Sequence, residues 1–329
     1  MSVVETLVLT ASELARCLSP GECRTAVERA FVLLAERRVE PARAVGFEAP
    51  GGSFHAKVAL FDDGRPRFVA KINGNFPGNP ASTGLPTIQG VLLLSDASDG
   101  RPLAIMDSAT ITAMRTAAAS AVAAHRLARR DASVLAIVGC GLQGAAHVAA
   151  LSELRPLREI RFHDVVPARA STLAARYEGV AACRVSDSVA AATRGADIVV
   201  TCTSGGAFVL DQGDVGPGTF VAAVGADNPH KREVHQDLMG AARVIVDDLA
   251  QCAAGGDLHH AIGAGTMARD DVHAELADVV VGRHAPLAPD AIVIFDSTGI
   301  ALEDAAAADL AYERARALGL GRVLELGAP

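Results

Sequence analysis

One stretch restricts the fold more than any other: Ser133-Val134-Leu135-Ala136-Ile137-Val138-Gly139-Cys140-Gly141-Leu142-Gln143-Gly144. Its aliphatic run reads as a strand buried on both faces, as strands of a parallel sheet do. The glycines then form the pattern G-x-G-x-x-G, and Ala145 to Leu151 continue as a helix. Gly139 permits a tight strand-to-helix turn, Gly141 lets the backbone approach a pyrophosphate, and Gly144 lets the helix pack close to the strand. The helix N-terminus would turn free N–H groups and the positive end of its dipole toward the phosphates. A second strand, Glu159 to His163, leads into Asp164, 25 residues after Gly139, close to where a ribose-binding carboxylate belongs. Glycine needed for turn geometry alone would explain less of this pattern than a dinucleotide-binding βαβ unit does.

Around this unit the chain changes character twice. Residues 6–9 read as an opening strand; Ser12 and the capping box Ser19-Pro20-Gly21-Glu22 begin two helices. From Ala42 to about Leu94 short strands are broken by Gly, Pro and Asp: Arg43–Phe47, Ser53–Phe61, Arg67–Ile72 and Gly90–Ser95, with a hairpin-type turn at Asp62-Asp63-Gly64. Strands without intervening helices suggest an antiparallel sheet. An Ala-rich helix from Ala109 to about Arg129 leads into the glycine-loop strand. Strands at Ile160–His163, Cys183–Val185, Ile198–Thr203, Thr219–Val224, Val244–Val246 and Ile292–Phe295 then alternate with helices, the pattern of a doubly wound parallel sheet. A helix from Leu302 to Leu318 and a strand at Val323–Leu326 are expected to return to the first domain. The predicted fold class is α/β: a Rossmann domain over 113–302, plus an α+β domain over 1–112 with 303–329, completed by the C-terminal helix.

Composition narrows the function. The 329 residues suit two domains, and half are hydrophobic while only 4% are aromatic, so the core is built from Ala, Val, Leu and Ile. A net charge of −8 without a basic stripe disfavours nucleic acid. Six cysteines with no C-x-x-C pair read as reduced core residues. The start of the chain lacks a basic leader, and no apolar run reaches the ~18 residues of a membrane span. The expectation is a soluble cytoplasmic protein with no membrane partner. His259-His260 and His230 form no ligand spacing, so no metal is predicted.

Four residues outside the glycine loop invite chemistry. Lys71 interrupts an apolar strand and either snorkels to solvent or meets an anion. Arg115 lies in a helix of Met, Ala and Val, where a guanidinium needs a partner that a substrate carboxylate could supply. Asp227 follows the strand ending at Val224, at the carboxyl edge where α/β sheets bind ligands, although Pro229 also suits a helix cap. Arg43 closes the segment Glu40-Pro41-Ala42-Arg43.

These segments resemble the ornithine cyclodeaminase/μ-crystallin family over nearly the whole chain. The resemblance rests on Lys71 with its tail Ile72-Asn73-Gly74-Asn75-Phe76-Pro77-Gly78-Asn79, Met114-Arg115-Thr116-Ala117-Ala118-Ala119-Ser120, the glycine loop, Gly225-Ala226-Asp227-Asn228-Pro229-His230-Lys231-Arg232-Glu233, and Phe295 to Asp304. It implies that Arg43, Lys71 and Arg115 hold the α-carboxylate of a small α-amino or α-imino acid, and that Asp227, with Lys71, handles protons. It also implies a homodimer formed through the strand-rich domain. Hydride would pass between nicotinamide C4 and the substrate Cα, in an imine reductase or an amino-acid dehydrogenase such as one for alanine. Leu142 and Gln143 complete the cofactor loop, and Thr116, Thr203, Ser204, Val224, Gly225 and Ser297 join the expected cofactor contacts. Asp164 favours NAD(H), while Arg161 and Arg169 leave NADP(H) open.

One departure bears on the substrate. Ornithine cyclodeaminases carry an acid about a dozen positions after the first arginine; here Phe54-His55-Ala56-Lys57 stands there. Lys57 instead adds a cation, which would suit a second substrate carboxylate if it shares the pocket with Lys71. Two rival readings remain: a redox-neutral ornithine cyclodeaminase, and a non-catalytic binding protein like μ-crystallin. Together Arg43, Lys71, Arg115 and Asp227 argue against the latter.

Overall fold

The computed structural model describes residues 4–39 and 43–326. It divides into two compact units, Met1–Arg115 with Ile300–Pro329, and Thr116–Gly299. The division falls inside one continuous helix, Ser108–Leu127. Residues 40–42, the start of the Arg43 segment, lie outside the described residues.

In the first unit, the strands are β1 (Val4–Leu9), β2 (Arg43–Ala49), β3 (Gly52–Asp62), β4 (Pro66–Asn75), β5 (Ile88–Asp96) and β6 (Pro102–Asp107). In the second they are β7 (Val134–Val138), β8 (Glu159–His163), β9 (Ala182–Val185), β10 (Ile198–Thr201), β11 (Phe220–Ala223), β12 (Arg243–Val246), β13 (Ala274–Glu275) and β14 (Val293–Asp296). The chain then returns to the first unit with β15 (Arg322–Leu326).

The first unit's sheet runs β15-β1-β6-β5-β4-β3-β2. It is antiparallel except where β1 lies parallel to β6. The sequence pattern did not mark β6, and so missed this parallel pair. Its residues lead directly into the helix Ser108–Leu127, and no turn residue separates the two. The first helix, Ala11–Cys17, starts after Thr10 rather than at Ser12, because the Glu13 carboxylate accepts the Thr10 N–H at 2.9 Å. The C-terminal helix Ala301–Leu318 packs on β3, β4 and the helix Pro20–Ala35, and β15 pairs with β1. Alternation along β4 turns Arg67, Val69 and Lys71 to one buried face. Arg67 donates to Asp309 of the C-terminal helix at 2.7 Å. Lys71 therefore sits in a central strand, not on a solvated edge.

The second unit's sheet is parallel throughout, in the order β13-β12-β14-β11-β10-β7-β8-β9. Strands β7, β10, β11 and β14 are buried at every position, as expected when helices cover both faces. From β7 the chain moves outward through β8 to β9, then crosses back to β10 on the other side of β7. In open parallel sheets a reversal of this kind, here at the carboxyl ends of β7 and β10, is where ligands bind. Small side chains suit the surrounding packing: residues 117–124 of the Ala-rich helix are all buried. Among the described residues no helix is long and apolar enough to cross a membrane.

Candidate active site

In the Thr116–Gly299 unit the three loop glycines do different work. Gly139 has φ +102°, and a Cβ there would lie 2.8 Å from the Cys202 carbonyl oxygen. A Cβ on Gly144 would sit 2.2 Å from the Gly139 oxygen, so only glycine lets the helix Leu142–Leu154 approach β7. A Cβ on Gly141 would meet nothing within 4 Å, which marks the open side of the loop. Gly141 caps this helix without any side-chain cap, leaving its N-terminus to an anion. Asp164 braces the loop, accepting the Cys140 N–H at 2.8 Å on one oxygen and the Val166 N–H at 2.8 Å on the other.

Among the described residues, two buried polar atoms at this edge have no hydrogen-bond partner of good geometry: Gln143 Oε1 and Thr203 Oγ1. Buried polar atoms are nearly always paired, so these two call for a ligand. They sit on the glycine loop and just past β10, at the carboxyl ends of two neighbouring strands, where a dinucleotide is expected to bind. Leu142 is exposed beside them and Ser204 lies at the surface. Val224 is tied down by its N–H to the Thr201 oxygen, 3.0 Å. Thr116 is buried in its helix. Ser297 is buried, and its hydroxyl donates to Asp247 at 2.8 Å. The strand expected to reach Thr203 stops at Thr201, because the Thr203 N–H turns to Glu233 at 2.5 Å.

Asp227 lies in the loop after β11 with its side chain 43% exposed. Lys231 pairs with it at 2.8 Å and the Asn228 amide donates to it at 3.1 Å. It caps no helix. His260 Nε2 meets the Lys231 carbonyl oxygen at 2.9 Å and His259 Nδ1 that of Ala253 at 3.2 Å.

In the other unit the structure brings Lys71 and Arg115 together and gives them partners the sequence did not suggest. Both are 4% exposed. Lys71 Nζ lies 2.7 Å from Asp304 Oδ2 and donates to Thr112 Oγ1 at 3.2 Å. Arg115 donates from Nε to Asp304 at 2.9 Å and from its terminal nitrogen to Glu303 at 3.0 Å. The two acids open the C-terminal helix, where first-turn acids ordinarily serve the dipole. Arg115 therefore does not depend on a substrate for a counter-charge. Burial pushes Lys71 down to about 8, with Arg115 and Lys57 acting the same way and Asp304 opposing. Burial raises Asp304, but Lys71 and Arg115 outweigh it and hold the carboxyl below its ordinary value.

Lys57 is directly opposite Lys71 across β3 and β4, so the two share a face. Arg43 does not join them. It is opposite Val58, which is opposite Ala70, and alternation puts it on the far face of the sheet. The grouping of Arg43 with Lys71 and Arg115 is thus corrected by register.

The sequence profile of the ornithine cyclodeaminase/mu-crystallin family matches residues 4–319. The chain belongs to that family. Among its relatives, the alanine dehydrogenase of Archaeoglobus fulgidus is 34% identical over 322 residues, 97% of this chain and 98% of the relative. The fold superposes on an archaeal alanine dehydrogenase dimer with bound NAD at a TM-score of 0.92, with 33% identity, covering 98% of this chain and 100% of that one. It superposes on the Thermococcus litoralis Δ1-pyrroline-2-carboxylate reductase, solved with NADH and L-proline, at 0.91, with 30% identity and coverage of 96% and 99%.

Proposed function

We propose that this family member is an NAD(H)-dependent oxidoreductase acting on the C–N bond of a small α-amino or α-imino acid. The observation that carries the reading is the buried pair Lys71 and Arg115, two cations kept out of water in a chain that also builds a phosphate-binding loop. The Thr116–Gly299 unit takes the cofactor and the other unit takes the acid. The relatives' bound NAD and NADH, and Asp164 after β8, favour NAD(H) over NADP(H).

Bound NADH supplies a hydride for the substrate Cα when the imine is reduced. The chain's own residues bind and move protons. Asp304 and Thr112 engage two of the three Lys71 donors, which leaves the third for a substrate oxygen or nitrogen. Arg115, oriented by Glu303 and Asp304, adds its field to hold the α-carboxylate. With a value of about 8, Lys71 exchanges protons near neutral pH, matched to protonating the amine nitrogen as the C=N bond becomes single. Asp227 is proposed as the second proton-handling group. Arg43 is left outside this set by its face of the sheet.

The same far face carries Val45, Phe47, Phe54, Ile72 and Val91, all exposed, with Phe47 at 64%. A monomer seldom leaves so broad an apolar sheet face in water, and the proposed occupant is a second copy of the chain. Sedimentation equilibrium tests this; a monomer at micromolar concentration would end it.

The function is tested by following nicotinamide absorbance with NADH and pyruvate plus ammonia or methylamine, Δ1-pyrroline-2-carboxylate, or oxaloacetate plus ammonia. Alanine, proline, aspartate and ornithine probe the reverse direction. Cofactor oxidation on any imine supports the reading. Ammonia release from ornithine without net cofactor change would replace it with a cyclodeaminase, and binding without turnover would leave a ligand-binding protein. Within the same screen, Lys57→Met should spare monocarboxylates and cripple dicarboxylates. Equal losses on both would remove Lys57 from substrate recognition.

A further inference from the structure

Beyond the carboxyl edge of the parallel sheet, the loops after β10 and β11 are joined by one side chain. Glu233 is fully buried. One of its oxygens accepts the Thr203 N–H at 2.5 Å; the other accepts the Gly225 N–H at 2.6 Å and the Thr201 hydroxyl at 2.9 Å. Strand β10 ends at Thr201 and β11 at Ala223, so Thr203 and Gly225 lie just past the last paired residues. A Cβ on Gly225 would lie 2.4 Å from the Thr203 oxygen and 2.5 Å from Glu233 Oε1, so glycine is what admits the carboxylate.

The clamp is itself anchored. The N–H groups of Glu233 and Val234 donate to Asp257 Oδ1 at 2.7 and 3.0 Å. The Glu233 carbonyl accepts from Val209 and Leu210 at 2.8 and 3.0 Å. Asp257 N–H and Leu258 N–H in turn donate to Asp296, the last residue of β14, at 3.2 and 2.8 Å. The carboxylate cannot drift without moving three strand ends.

We infer that Glu233 is a positioning residue for the reaction: it fixes the Thr203–Ser204 loop that meets the cofactor and the Gly225–Asp227 loop that carries the proton-handling acid. This rests on the proposed oxidoreductase reading. Thr203, whose N–H is clamped, lies just past the end of β10, and Asp227 is two residues beyond the clamped Gly225. Three donors converge on an acceptor-only group. An amide at this place would point its NH2 at one of them.

The test is Glu233→Gln, with Thr201→Val as the companion that removes only the hydroxyl donor and keeps both backbone clamps. Glu233→Gln is expected to lower kcat about 10²-fold and weaken NADH binding, read by nicotinamide fluorescence, about tenfold, while KM for the amino or imino acid stays within about threefold. That split is expected because the proposed acid-holding cations, Lys71 and Arg115, are positioned by Asp304, Glu303 and Thr112 of their own unit. Thr201→Val should keep kcat within about threefold of wild type. A purely structural role would lower Tm and leave kcat and NADH affinity unchanged, and that result overturns the inference. So does a proportional change of kcat and both KM values. If Glu233→Gln does not fold, Gly225→Ala, whose Cβ displaces the carboxylate, must show the same split or the inference fails. A wild-type protein that binds NADH but turns over no amino or imino acid would overturn the proposed function. The NADH affinity of Glu233→Gln would still decide on the clamp.

Discussion

In the unit formed by Met1–Arg115 and Ile300–Pro329, the buried carboxylates of Glu303 and Asp304 face Lys71 and Arg115; in the Thr116–Gly299 unit, those of Glu233, Asp257 and Asp296 face backbone N–H groups. The consequences for titration are opposite. Asp304 is held below its ordinary value by its two cations once they outweigh burial. Burial, together with the Glu233 charge, pushes Asp257 up to about 7, and burial with the Asp257 charge drives Asp296 well above its ordinary value. On the proposed reading, a region that receives an anion keeps cations ready and balances them with fixed acids. A region that must hold strand ends in place needs acceptors, and tolerates acids that ionise reluctantly. Neutralising one acid should therefore not mean the same thing in the two regions.

The largest expected effect is on the cations. Lys71→Met should lower kcat/KM on the best imino acid by about 10³-fold, within the range for a proton-transferring group that also binds substrate. Steady-state absorbance checks it, and a loss under tenfold would take Lys71 out of the chemistry. Next is Asp304→Asn. It leaves Lys71 and Arg115 short of counter-charge in a dry site and should cost about 3–5 kcal/mol in urea unfolding, as breaking a buried ion pair does.

Asp257→Asn sharpens the contrast. Its Oδ1 can go on accepting the Glu233 and Val234 N–H groups, and Oδ2 has no hydrogen-bond partner among the described residues. A carboxyl whose value is raised on folding contributes stability that is complete below its ordinary 3.8 and lost as pH rises through about 7. The amide should thus be neutral or stabilising at pH 8 and should flatten the fall in Tm between pH 4 and 7. Equal destabilisation by Asp304→Asn and Asp257→Asn would break the comparison. The smallest effect is on the pH profile: reductive activity should decline as pH passes about 8 and Lys71 loses its proton, while its lowered value makes its own contribution to Tm rise, not fall, above that pH.

The cofactor half was legible in the sequence because its signals are local. Strand β7, Gly139, Gly141, Gly144 and the following helix lie within one short stretch; Gly139 and Gly144 answer to neighbours in that stretch or one strand away, and Gly141 faces the open side of the loop. Thr203 was expected to end a strand, which instead stops two residues earlier at Thr201. The Ser297 hydroxyl bond to Asp247 was not legible, because that acid lies just past the end of another strand.

The substrate half was legible in its residue types and not in their grouping. Lys71 and Arg115 stood out as charges among apolar residues, and burial kept that meaning. Their partners Glu303 and Asp304 come from the far end of the chain and looked like ordinary helix-start acids, so only the packing of the C-terminal helix on β4 reveals the pairs. Arg43 and Lys57 differ by pairing register alone. With a side-chain period of two, one residue of register decides whether a cation joins Lys71 or faces away. By itself, then, the sequence determined the parallel sheet, the phosphate loop and the presence of buried cations, since those follow from short-range pattern and from the cost of burying charge. Which cations stand together, which acids balance them, and that Glu233 ties β10 to β11 were decided by tertiary structure, because hydrogen bonds and strand register join residues that no local pattern relates.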